Sequence, residues 1–202
     1  MATVRGDYEA ARQAASDWVS LVPELGLPGD GAYRALGEAL SGLERHEEAV
    51  EYLSEALRRN ETRGASSAFV GETRQVLARA YLGAGRLTEA KGSAELAYRE
   101  IADEDAFSRS TTGVALAMVR AAEGEATEAD RLFRLAIEAA RDYRNLAVEA
   151  RISYARFLIE QGRASDARAQ LRVAGEFFAH PFVAKRRAQV EALIRRCNEV
   201  RA

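Results

Sequence analysis

Cysteine is nearly absent from the sequence, with Cys197 alone in 202 residues. One thiol excludes a disulfide framework and a thiolate-based metal site. Histidine is almost as scarce, at His46 and His180, and a zinc site needs more convergent ligands than that. Proline occurs three times, so little interrupts a helix. Neither sign of charge dominates. The 29 basic and 31 acidic residues leave a net charge of −2, which removes any long-range pull toward nucleic acid or an anionic membrane. The longest uncharged apolar stretch, near Thr111 to Val119, is far short of the roughly 20 residues of a membrane span. The opening MATVRGDYEAARQAASD has no apolar core of signal-peptide length. These absences predict a soluble cytoplasmic protein without cofactor or metal, bound neither to nucleic acid nor to membrane.

What is present favours helix. The sequence holds 41 alanines and is 48% hydrophobic and 30% charged, a profile of a folded chain rich in helix formers. Arginine supplies 27 of the 29 basic residues, which reads as the mark of a GC-rich genome, although its planar fork does suit bidentate pairing with carboxylates. A short block then recurs: GDYEAA at Gly6, ERHEEA at Glu44, GRLTEA at Gly85, GEATEA at Gly124 and GRASDA at Gly162. The last alanines are Ala11, Ala49, Ala90, Ala129 and Ala167, spaced by 38, 41, 39 and 38 residues. Apolar residues on both sides recur at steps of three and four. Tyr33, Leu36, Leu40 and Leu43 precede one block, and Val50, Leu53, Ala56 and Leu57 follow it. That is the stripe of an amphipathic helix, so each unit is helix, tight turn, helix.

The block reads as turn chemistry. Gly85, Gly124 and Gly162 suit a left-handed residue ending one helix. Thr88, Thr127 and Ser165, each followed by an acid, suit the first turn of the next. Alanine at the block's end, opposite Gly37, Ala78, Ala117 and Ala155, lets two helices approach closely. The predicted helices cover 7–21, 30–43, 46–59, 66–83, 86–101, 105–122, 125–142, 145–161, 164–178 and 181–200. Asp30, Ser66 and Asp105 are expected N-caps. VPELGLPGDG, NETRGAS, ADED and AHP are expected loops. The last helix carries Phe182, Val190, Leu193, Ile194 and Cys197 on one stripe and predicts a cap over the final repeat.

The pattern resembles the tetratricopeptide repeat family. Residues 32–61 carry the likeness best: Tyr33, Leu36, Gly37 and Leu40 stand in the first helix and Ala49, Leu53 and Ala56 in the second, although Glu61 replaces the usual proline. Arg74, Gly113 and Arg151 depart from the family's tryptophan position, and the period exceeds 34 residues. Periods near 40 are similar to the helical-repeat regions of bacterial signalling proteins of the MalT and antibiotic-regulator type. The resemblance implies an all-α, right-handed superhelical solenoid. It would span 1–202 as one domain, with a half repeat (1–22), full repeats (about 30–61, 66–101, 105–142 and 145–178) and a capping helix (181–200). It also implies a concave groove for a protein or peptide partner, lined by Arg34, Glu38, Glu72, Gln75, Arg79, Thr111, Val114, Met118, Glu149, Ile152 and Arg156. Val114, Met118 and Ile152 are equally well read as core. The lysine and asparagine clamp of the chaperone-binding members is missing, because those places hold Arg34, Glu38, Val76, Thr111 and Ala115.

The first helix matches the second helix of a repeat whose first is missing, so Tyr8, Trp18 and Val19 are expected on an uncovered face. A longer parent chain or a second copy would cover it, as a homodimer through Tyr8, Trp18 and Val19. GLPGDG follows a helix pattern and lacks the order of a nucleotide loop. Cys197 reads as a buried inert thiol. Arg186, Arg187, Arg195 and Arg196 read as a solvated face, and Asp103, Glu104 and Asp105 as a loop with a cap. No nucleophile pairs with a base at a readable spacing. The sequence therefore predicts a non-enzymatic interaction module, a regulatory or scaffolding part of a larger bacterial signalling or transcription-regulating protein. A small-ligand or peptide-pheromone sensor and a structural self-association module acting through the N-terminal half repeat are the alternatives.

Overall fold

The computed structural model describes residues 7–101, 105–177 and 184–199. Among the described residues there are ten helices and no strand. They are α1 (Tyr8–Leu25), α2 (Asp30–Gly42), α3 (His46–Thr62), α4 (Ser67–Gly83), α5 (Leu87–Arg99), α6 (Ala106–Ala122), α7 (Ala126–Ala139), α8 (Arg144–Glu160), α9 (Ala164–Phe177) and α10 (Ala184–Glu199). The fold is an all-α array of helix-turn-helix repeats, as the periodicity predicts. It divides into two compact units, residues 1–102 and 103–202. The readings placed on Gly6, Asp103, Glu104, Phe178, His180 and Phe182 lie outside the described residues, as does the side chain of Arg186.

In the first unit, α2 pairs with α3 and α4 with α5, while α1 packs on α2 and α3 on α4. Leu36, Leu40, Val50, Leu53, Val76 and Leu77 form the core, joined by Ala15 from α1. Burying a leucine such as the fully enclosed Leu53 contributes about 1.5–3 kcal/mol. Gly37 shows why the first helix needs a small residue. A Cβ there would stand 2.5 Å from Leu53 Cγ and 3.2 Å from the Ala49 carbonyl oxygen. The α3–α4 boundary is polar: buried Asn60 Nδ2 donates to Thr73 Oγ1 at 2.8 Å.

In the second unit, α6 pairs with α7 and α8 with α9, and α10 lies against α9 and α8. Phe133, Tyr154 and Phe157 cluster at its centre, with Phe133 5.4 Å from the Tyr154 ring and 5.5 Å from the Phe157 ring. Val190, Leu193 and Cys197 of α10 are buried, and Ile194 is half-buried.

The turns follow the predicted chemistry. Gly85, Gly124 and Gly162 all have positive φ, between 71° and 83°. Glu44 takes the same conformation, at φ 62°, where the other blocks have glycine. The acid of the block is held by an arginine just before its helix: Arg45–Glu48 at 2.6 Å, Arg86–Glu89 at 2.9 Å and Arg163–Asp166 at 2.7 Å.

Three expectations need correction. α1 does not stop at residue 21 but runs through Pro23 to Leu25 and ends at Gly26, φ 60°. Burial of Val22 against Gly29 outweighs the backbone hydrogen bond that proline removes. Asp30 is the first helical residue, not the cap. The cap position is Gly29, while the Asp30 carboxylate accepts from Arg63 at 2.9 Å. Ser66 occupies its cap position without a side-chain cap bond, whereas Asp105 caps as predicted, accepting from the Ser108 N–H at 2.9 Å. The His46 ring packs on Gly83 and its Nδ1 is buried without a hydrogen-bond partner among the described residues.

Candidate functional site

The expected groove residues of the first unit lie on α2 and α4. On a helix, positions three, four and seven apart share a face, so Arg34 with Glu38, and Glu72 with Gln75 and Arg79, form two stripes. The structure brings these stripes together. The Arg34 guanidinium donates to Glu38 Oε1 at 3.2 Å and pairs with Glu72 Oε2 at 3.3 Å. All three side chains are partly buried, at 30%, 34% and 21% exposure. Arg79 lies two turns further along α4, about 10 Å away. It is exposed and has no ion-pair partner among the described residues. Gln75, between them, is 92% buried with only 8% exposed. It packs inside the unit and offers a partner little surface.

The second unit arranges its stripes differently. α6 and α8 pack against each other, and their facing residues close the middle of the face. Val114 and Ile152 are buried, so they serve the core rather than an open surface. Met118 remains partly exposed, Glu149 is partly exposed and Arg156 is exposed. The Thr111 hydroxyl turns back to donate to the Ser108 carbonyl at 3.2 Å. The apolar centre expected for a partner is therefore largely internal.

On α1 the three expected residues separate. The Tyr8 ring seats directly on Gly42 of α2, and Val19 packs against the core of the first unit. Both are engaged within the chain because α1 covers α2. Trp18, the edge of whose ring lies over Gly31 of α2, is the most open of the three, at 45% exposure.

Sequence reasoning missed a charged hub in the second unit. Asp130 on α7 accepts from Tyr154 Oη at 2.7 Å, Arg163 Nη1 at 2.5 Å and Arg134 Nε at 2.7 Å. Burial pushes its carboxyl up, but the three donors prevail and hold it at about 2. The Arg163 guanidinium is correspondingly stabilised by Asp130 and Asp166. Asp130 occurs only in this copy of the repeat, where the others have Val50, Lys91 and Arg168, so no repeat pattern could have announced it. A recess of about 360 Å³ lies beside it, lined by Ala126, Thr127, Asp130, Phe157, Gln161 and Arg163. Its two charged residues pair with each other, which gives the hub a structural part: it ties α7 to the turn before α9.

Among the described residues no three His, Cys, Asp or Glu side chains group so as to hold a metal ion. No helix among them is long and apolar enough to cross a membrane.

Residues 31–63 match the family model described as tetratricopeptide repeat. No curated protein matches the chain. Among solved structures, BtubC (BKLC) from P. vanneervenii is similar over 96% of this chain and 91% of its own, at 18% identity and a TM-score of 0.61. A kinesin light chain from Podosopora anserina with nearly identical TPR-like repeats is similar over 86% of this chain and 88% of its own, at 20% identity and a TM-score of 0.54. The helix-turn-helix array is thus the fold of tetratricopeptide-repeat proteins, whose repeats generally mediate protein–protein interaction.

Proposed function

We propose that this chain, built on a tetratricopeptide repeat, is a non-enzymatic interaction module that binds a protein or peptide segment on the α2–α4 face of its first unit. One observation carries the reading. Arg79 stands exposed, with no ion-pair partner among the described residues, on the same helical stripe as Glu72 of the Arg34–Glu38–Glu72 cluster. An unpaired guanidinium offers a bidentate site for a carboxylate. Such a site selects a segment that carries an acidic group.

In the second unit, Thr111, Met118, Glu149 and Arg156 are the secondary contact set, with Arg156 as the cation at its edge. The repeat spacing of 38 to 41 residues is similar to that of MalT-type regulators, and supports a place for this module in the regulatory arm of a bacterial signalling protein. The test is affinity capture with the wild-type chain beside Arg79→Glu and Arg79→Lys. A protein retained by the wild type, lost with Arg79→Glu and partly kept with Arg79→Lys is the expected result. Equal retention by all three, at unchanged helicity, refutes the assignment of this face.

A further inference from the structure

Exposed apolar side chains are concentrated on one helix. Of ten large hydrophobic residues exposed among the described residues, Trp18, Leu21 and Leu25 lie on α1 and Leu27 just beyond it. On α1, Ala10, Ala14, Trp18, Leu21 and Leu25 are all exposed and follow one another at steps of four, four, three and four. They form a continuous stripe about 22 Å long. Ala15 and Val22 face the core instead, so this stripe is a second apolar face on a helix whose first is already satisfied. Exposed contiguous apolar surface of this kind marks an interaction site.

The repeat alignment adds an independent sign. Trp18 corresponds to Ala56, Ala97, Ala136 and Ala174 at the chain's own spacing, and those four alanines are at most 1% exposed. In the first unit Ala97 sits where α4 comes so close that a Cβ on Gly71 would stand 3.8 Å from the Ala97 carbonyl oxygen. An indole at that register leaves no room for a helix seated as α4 is on α5. The stripe is shaped for a ligand that stands further off and packs around a large ring.

Charge selects that ligand. Gln13, Asp17, Ser20 and Glu24 run along one edge of the stripe, all exposed, so the rim carries two carboxylates. The nearest cation on α1, Arg12, is paired with Glu9 at 2.7 Å. Antiparallel pairing with a second copy of α1 brings the same edge of both helices together and sets four carboxylates along one seam. A basic edge on the partner removes that repulsion and complements the rim.

We propose that the exposed face of α1 docks an amphipathic helix of about four turns, apolar on one face and bearing lysine or arginine along one edge. This surface is separate from the α2–α4 face and does not depend on Arg79. Trp18 is the chain's single tryptophan, so its fluorescence reports occupancy directly. The probes are an 18-residue leucine–alanine peptide with one lysine edge and the same peptide with glutamate in place of lysine. The expected result is a saturable blue shift with the lysine peptide, weakened as salt rises, and at least tenfold weaker binding of the glutamate peptide. Asp17→Arg with Glu24→Arg reverses that preference, Leu25→Glu abolishes the shift, and Arg79→Glu leaves it unchanged. All four positions are exposed, so circular dichroism and Tm stay at wild-type values. Equal binding of both peptides overturns the proposal. So does concentration-dependent burial of Trp18 without peptide that persists in the Asp17→Arg, Glu24→Arg variant, which shows a second copy to be the occupant.

Discussion

The hydrogen bond between Asn60 and Thr73 sets a quantitative test of how one repeat is joined to the next. Asn60 is 2% exposed and Thr73 is fully buried. The amide donates to Thr73 Oγ1 at 2.8 Å, and that hydroxyl donates to the Phe69 carbonyl at 3.1 Å. Thr73→Val keeps the shape of the side chain and removes only the acceptor. The Asn60 amide is then buried without its partner, at a cost of about 1–3 kcal/mol. For a unit of roughly 100 residues, each kcal/mol lowers Tm by about 4–8 °C, so a loss near 2 kcal/mol moves the first unit's transition by roughly 10 °C. Asn60→Leu with Thr73→Val behaves differently, because both polar partners are gone. At the aligned positions the chain already has buried Val22, Ile101 and Ala140, and Arg63, which also donates to Asn60 Oδ1, retains Asp30 at 2.9 Å. The double variant is expected to recover much of the loss, with a coupling of about 1–2 kcal/mol between the sites. Urea unfolding followed by Trp18 fluorescence reads the first unit alone. A Thr73→Val variant within about 0.5 kcal/mol of wild type, or a double variant that loses the full sum of the singles, refutes this account.

Two further outcomes follow from single residues. Glu44 holds a left-handed conformation that costs a side-chain-bearing residue about 1–2 kcal/mol; part of that is offset by glycine's greater freedom when unfolded, so Glu44→Gly is expected to stabilise the first unit by about 0.5–1 kcal/mol in urea, and a loss of stability would count against strain at this turn. Asp130 is held at about 2, below its ordinary 3.8, and Glu55 at about 2, below 4.5, chiefly through Arg58. Their native values are depressed, so the unfolded chain takes up protons first and the associated stability, complete above the ordinary carboxylate range, is lost as pH falls from about 4 toward 2. Asp130→Asn should flatten part of that fall in a series of thermal melts; an unaltered pH profile would show that the hub contributes nothing to stability.

The repeat architecture was legible because it rests on local, periodic constraints. A left-handed turn at Gly85, Gly124 and Gly162, a small residue at Ala49, Ala90, Ala129 and Ala167, and apolar steps of three and four repeat with each unit, so each copy checks the others. Element boundaries were less legible where one contact overrode a local rule. Pro23 reads as a helix breaker, and only the seating of Val22 against Gly29 shows why α1 continues past it. The Asp130 hub left no trace, since it joins residues 24 and 33 positions apart and has no counterpart in the other copies.

The candidate site was legible in direction but not in depth. Helical periodicity places Gln75 beside Arg79 and Val114 beside Met118, because angle around the axis depends only on residue number. Whether that angle opens to solvent depends on the helix opposite. On α6 and α8, which pack together, Val114, Ile152 and Ile159 are apolar and buried. Between α2 and α4 the facing side chains Arg34, Glu38 and Glu72 are long and charged, and hold their pairing at the rim. Two faces built at the same register thus differ in kind, one sealed by burial and one held partly open by charge. Within the first unit, the partner-binding argument therefore falls on Arg79 rather than Gln75, although periodicity alone treats the two as equals.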